Sequence, residues 1–123
     1  MLLLDTSFLV ELEDELVQGR PGPATAVLGA HRRSAAAISI ITLGEFAEGF
    51  TDAQAFGEFV GRFRVVQLSR AIAWRAAMMQ ASLPQRLGEN DAWIAATALA
   101  YGATLVGREN AFKRIATLQY LPF

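Results

Sequence analysis

Leu2-Leu3-Leu4-Asp5-Thr6-Ser7 is the stretch that decides the fold. Its leucines run without alternation, a pattern that suits a strand buried on both faces, as in a parallel sheet. The run stops at a carboxylate followed by two hydroxyls. A helix-like segment, Phe8-Leu9-Val10-Glu11-Leu12, comes straight after. In open α/β sheets the carboxyl ends of the strands form the crevice where ligands bind. Asp5 therefore has two readings. It is an acid on a functional rim, or Asp5, Thr6 or Ser7 caps the next helix. The positions of the other acids bear on the choice.

Outward from this stretch, strands and helices alternate. Residues 6–17 read as a helix whose exposed face carries Glu11, Glu13, Asp14 and Glu15, a charge run that most often marks a solvated face and less often a docking surface for a basic partner. Pro23, closing the loop 19–23, suits the first turn of a helix over residues 24–33. His31, near its end, lacks acids at ligand spacing and takes a structural role. Residues 36–40 form a second strand. Thr42-Leu43-Gly44-Glu45 then has capping-box spacing, in which Glu45 reaches back to the Thr42 N–H. The alternative sends Glu45 across the strand rim toward Asp5, and the two roles compete for one carboxylate. Thr51-Asp52 opens a helix whose stripe of Phe56, Phe59, Val60 and Phe63 belongs to a core or a dimer interface. Residues 64–68 form a third strand. Ser69 caps a helix to about Ser82 that is apolar nearly all round, a weak sign of self-association. Asn90 is a natural N-cap for a helix closed by Gly102, with Asp91 in the first turn, where the dipole favours an anion. Residues 103–106 form a fourth strand, followed by Gly107-Arg108-Glu109-Asn110. Residues 118–121 are a candidate edge strand. The alternation predicts one α/β domain over residues 1–123, a three-layer α/β/α sandwich with a central parallel sheet of about four to five strands.

Composition narrows the function. A chain of 123 residues with 53% hydrophobic content fits one domain with a full core. No apolar run reaches the length of a membrane span, and the leucines have no basic region before them, as a signal peptide would. A cytoplasmic protein with no membrane partner is expected. The absence of Cys excludes disulfides and thiolate metal sites, and a single His excludes multi-His sites. A net charge of −1 argues mildly against a nucleic-acid coat but not against an enzyme that handles RNA at one face.

Four acids then share an address. Asp5 and Glu109 follow apolar strands, Glu45 begins the helix after a strand, and Asp91 begins the helix leading into strand four. In a right-handed β-α-β sheet, strand ends and the starts of the following helices lie on one rim. Asp91 follows a loop, so its place there is less direct. Several acids without compensating His or Lys repel one another, which proteins tolerate mainly when a cation is bound. All-oxygen ligation points to Mg²⁺ or Mn²⁺, and such ions serve phosphodiester hydrolysis.

The motifs resemble those of the PIN domain, and in particular of VapC-type toxin ribonucleases. The matching segments are Leu-Leu-Asp5-Thr-Ser, Ser39-Ile-Ile-Thr42-Leu-Gly-Glu45, Asn90-Asp91-Ala-Trp-Ile-Ala-Ala and Thr104-Leu-Val-Gly-Arg-Glu109-Asn-Ala-Phe112, in the expected order over essentially the whole chain. The resemblance implies a Mg²⁺/Mn²⁺-dependent endoribonuclease of a type II toxin–antitoxin system, an RNA substrate, a homodimer, and inhibition by a small VapB-like antitoxin. Asp5, Glu45 and Asp91 match the family's first three acids. The fourth motif departs: the family usually has Asp there, often with another Asp just before the Phe, and this chain has Glu109 and Ala111. Glu109 is longer and can ligate directly or through water. Thr6 and Ser7 are supporting residues that hydrogen-bond a ligating acid or a metal's water. Arg108 either touches a phosphate or does nothing specific. A competing reading is a PIN-like binding module for RNA or a protein whose catalysis has weakened, which the altered fourth motif supports.

Overall fold

Strand β1 (Leu2–Leu4) is buried throughout, in a computed structural model that describes residues 1–123. It is followed by helices α1 (Thr6–Gln18) and α2 (Pro23–Ala30), then β2 (Ala36–Ser39), α3 (Ile40–Ala47), α4 (Ala53–Val60) and β3 (Arg64–Val66). Helices α5 (Arg70–Ser82) and α6 (Glu89–Tyr101) lead to β4 (Thr104–Gly107), a 3₁₀ turn (Asn110–Arg114) and β5 (Tyr120–Pro122). The five strands form one sheet in the order β3-β2-β1-β4-β5, parallel at every pairing.

Alternation along the strands divides the core in two. Leu3, Ala37, Val66 and Leu105 face one side, where Met79 of α5 and Ala92, Ala95 and Ala98 of α6 cover them. Leu2, Leu4, Ile38 and Val106 face the other, under Phe8 and Leu12 of α1, Phe46 of α3 and Phe59 of α4. The result is the three-layer α/β/α sandwich expected of the alternating pattern. Gly102 ends α6 in the left-handed region, at φ 59°, as a C-terminal glycine does. No helix is long and apolar enough to cross a membrane.

Several local readings are corrected. Glu15 is not on the exposed face of α1 but buried against α2. Its carboxylate accepts from the N–H groups of Ala24 (2.8 Å) and Thr25 (2.9 Å) and from Thr25 Oγ1 (2.8 Å). Helix α2 starts after Gly22, which has no side chain to cap it, so an acid from the neighbouring helix satisfies its free N–H groups instead. The capping box at Thr42 does not form. Helix α3 starts earlier, at Ile40, and Ser39 Oγ accepts from the Thr42 N–H at 3.0 Å. Thr42 is thus inside the helix and Glu45 is released. Asn90 is not the N-cap of α6, which follows Gly88 without a side-chain cap. In the phenylalanine stripe, Phe59, Val60 and Phe63 are buried in the domain's own core, and Phe56 packs on Phe50 with ring centroids 5.4 Å apart. Trp74 and Met78 stay exposed on the outer side of α5. His31 has its Nδ1 at 2.9 Å from the Val27 carbonyl, in line with a structural role.

Candidate active site

The chain leaves β1 toward β2 and β3, then returns to β4 on the opposite side. The β1/β4 boundary is therefore the point where strand order reverses, the usual ligand position in such sheets. Asp5 follows β1 there, and Arg108 and Glu109 follow β4.

Asp5 is buried, at 3% exposure, and its N–H donates to the Val106 carbonyl at 3.0 Å. Its Oδ1 accepts from Ser7 Oγ at 2.6 Å and from the Phe8 N–H at 3.1 Å, so Asp5 is an N-cap and a rim acid at once. Its Oδ2 accepts no hydrogen bond and lies over Gly107. A Cβ on Gly107 would overlap the carboxylate, 2.6 Å from its Cγ, so only glycine fits beside it. Burial pushes the Asp5 carboxyl up to about 6; the Ser7 and Phe8 hydrogen bonds oppose this, and the charges of Glu109 and Asp91 add to it. Asp91, partly buried in the first turn of α6, is also raised, by burial and then by the charges of Glu109 and Glu45.

Glu45 turns toward α1 and α6. Its Oε1 accepts from Thr6 Oγ1 at 2.6 Å and its Oε2 from Asn90 Nδ2 at 3.2 Å, which ties α3 to the starts of both helices. Glu109 is exposed at the start of the 3₁₀ turn. Glu45 and Glu109 share a groove of about 740 Å³ with Thr6, Ser7 and Arg108, walled by the acidic flank of α1. Asp5 and Asp91 are not in its lining. The four acids are electrostatic neighbours, but they do not all open into that one groove.

Arg108 has definite partners. Its guanidinium pairs with Glu11 at 3.0 Å and lies 4.3 Å from the centroid of the Phe123 ring, and its backbone N–H donates to Ser7 Oγ at 3.2 Å. Asn90, whose sequence position suits a cap, is instead a neighbour of the candidate site through its amide donor to Glu45. Tyr120 is another, and nothing in an edge strand marked it. Its hydroxyl is pushed up to about 12 by burial and then by the charges of Asp5, Glu109 and Asp91.

No three Asp, Glu, His or Cys side chains stand close enough to form a ready-made metal group. The chemistry of the donors nonetheless fits a hard divalent cation. They are oxygens only, two of the acids are raised partly by other acids, and Asp5 has one oxygen free of hydrogen bonds beside a glycine that leaves it room.

The PIN domain family profile matches residues 2–118. No curated protein sequence matches the chain. Among solved structures, VapBC2 from Rickettsia felis, bound to a DNA fragment from its promoter, is similar with a TM-score of 0.80 and 24% identity over 98% of this chain and 97% of that one. A toxin–antitoxin complex from Klebsiella pneumoniae has a TM-score of 0.76 and 27% identity over 96% and 95% of the two chains. VapC20 from Mycobacterium tuberculosis, a Sarcin-Ricin loop cleaving toxin, has a TM-score of 0.66 and 18% identity over 97% and 98%.

Proposed function

The chain belongs to the PIN domain family, and from that premise we propose that it is a divalent-metal-dependent endoribonuclease, the toxin of a VapC-type toxin–antitoxin pair. The observation that carries the reading is the buried Asp5 at the strand-order reversal, with a free oxygen and with Glu109 and Asp91 close enough to raise its pKa. Asp5, Glu45, Asp91 and Glu109 would hold a Mg²⁺ or Mn²⁺ ion, which when bound neutralises phosphoryl charge and lowers the pKa of a water. Ser7 and the Phe8 N–H fix Oδ1 of Asp5 and so aim Oδ2 at the site. Thr6 and Asn90 hold one oxygen each of Glu45. At neutral pH a carboxyl with a pKa of about 6 is mostly ionised, as a ligand must be.

The partner in this reading is a VapB-like antitoxin. The groove beside the site is walled by Glu11, Glu13 and Asp14 and includes Val10 and Val17, which are 54% and 81% exposed. Such a surface suits a segment that carries both cationic and apolar side chains. A homodimer would cover the exposed Trp74 and Met78 of α5. A second reading, a PIN-like module that binds RNA or a protein without cutting, is favoured by Glu109 with Ala111 and by the lack of a ready-made ligand group. The test is incubation of the protein with RNA in Mn²⁺ and in EDTA, with Asp91→Asn as control. Cleavage that needs Mn²⁺ and Asp91 supports the nuclease. RNA retention without cleavage in either buffer supports the module.

A further inference from the structure

Tyr120 Oη is the one buried side-chain nitrogen or oxygen in the protein with no hydrogen-bond partner. A buried hydroxyl without an acceptor is costly, so it calls for a reason. The sheet register supplies one. Leu105 of β4 pairs with Leu3 of β1 on one side and with Tyr120 of β5 on the other. Leu3 and Leu105 face the α5/α6 layer, and Tyr120 packs against the same core, its ring centroid 5.5 Å from that of Phe112. Two residues further along, alternation puts Asp5 and Gly107 on this same face. Two strand residues span roughly 6.6 Å and two strand spacings roughly 9.6 Å, so the two Cα atoms stand roughly 12 Å apart, a gap that a tyrosine side chain, one water and a carboxylate span together. Gly107 is the β4 residue between the two strands at that level, and it has no side chain. Its missing Cβ leaves the space that the Asp5 carboxylate fills, so no β4 side chain stands between Tyr120 and Asp5 at that level.

We propose that Tyr120 is a positioning residue of the acidic site, its hydroxyl donating through one bridging water to Oδ2 of Asp5. The inference rests on the nuclease reading insofar as it gives Asp5 a catalytic task. A phenol is protonated at neutral pH, so toward the carboxylates it acts as a donor. A carboxylate oxygen has two lone pairs, so Oδ2 can accept from this water and still ligate a cation. Together with Ser7 and the Phe8 N–H on Oδ1, the contact fixes the plane of the carboxylate. Outer-layer hydrogen bonds of this kind orient a ligand and tune its affinity.

Tyr120→Phe keeps the ring and removes only the hydroxyl. In Mn²⁺ the variant is expected to lose about 10-fold in kcat for RNA cleavage with KM unchanged, and to need about 10-fold more Mn²⁺ for half of its thermal shift. A variant with unchanged kcat and an unchanged Mn²⁺ midpoint, or with a higher melting temperature as its only change, overturns the inference. Should the wild type neither cut RNA nor respond to Mn²⁺, the nuclease reading fails and a wild-type crystal structure decides the contact. A water within hydrogen-bond distance of both Tyr120 Oη and Asp5 Oδ2 supports it, and no such water overturns it.

Discussion

Asp5 and Glu15 are both buried carboxylates of the same helix region, one capping the start of α1 and the other near its end, at 3% and 6% exposure. Yet Asp5 is pushed up to about 6, while Glu15 is held at about 2. Burial raises both. For Glu15 the donors of Thr25 and Ala24 outweigh it, because they engage both of its oxygens at the positive end of α2. For Asp5 the donors reach one oxygen only, and its charged neighbours are other acids. A buried acid with every oxygen engaged serves the architecture. One with a free oxygen that faces like charge is poorly served by the fold alone, and that contrast sets the candidate site apart.

The largest effect expected from this contrast is on activity. Asp5→Asn is expected to cut RNA cleavage by about 100-fold or more while the protein still folds, as removal of a group that stabilises reacting charge does. Glu15→Ala is expected to leave cleavage per folded molecule unchanged and to cost about 2 kcal/mol of stability in denaturant melts, the scale of lost hydrogen bonds to a charged group. If the two variants exchange phenotypes, the comparison is broken.

Next comes the pH dependence, where the two acids have opposite signs. Glu15, depressed from 4.5, contributes stability that is present above 4.5 and lost as pH falls toward 2. Asp5, raised from 3.8, contributes most below 3.8 and loses that stability as pH rises through about 6. The metal-free wild type is therefore expected to lose stability between about pH 4 and 6, and Asp5→Asn to show a smaller fall, the part left by the raised Asp91, and to be more stable at neutral pH by on the order of 1 kcal/mol. Thermal scans in EDTA across this range check both limbs. A wild-type curve that rises steadily through pH 6 would remove the basis for a raised Asp5 carboxyl.

The smallest effects belong to the residues that hold the acids. Asn90→Ala removes the donor at 3.2 Å from Glu45 and is expected to lower kcat a few-fold, with a change in melting temperature within that of an ordinary surface substitution. A larger loss would make Asn90 part of the reacting set, and none would make its contact incidental.

How much of this was legible in the sequence depended on how local each cause is. The Leu2–Leu4 strand is readable because a run without alternation suits a strand buried on both faces of a parallel sheet, whereas Asp5 alone fits a helix cap equally well and gains a second reading only from where the other acids fall. Asp91 was readable as a first-turn acid, and the three-layer fold followed from the alternation of elements. The periodicity of Glu15 puts it among solvated acids, while its partners lie in another helix. The capping box at Thr42 failed because Ser39, closer to the strand end, took the cap. Asn90 looked like a cap because caps and cross-element donors use the same amide. Tyr120 carried no signal, since only the register across β4 brings it near Asp5.

Whether Asp5 belongs to a group of acids that binds a divalent cation is decided by the Mn²⁺-induced change in melting temperature of wild type and Asp5→Asn, measured side by side at neutral pH. A ligand that binds only the native state stabilises it by about 2.7 kcal/mol at a hundred-fold excess over its Kd. A large upward shift is expected for the wild type and little or none for Asp5→Asn. Equal shifts in the two proteins would contradict it and leave Asp5 as a helix cap alone.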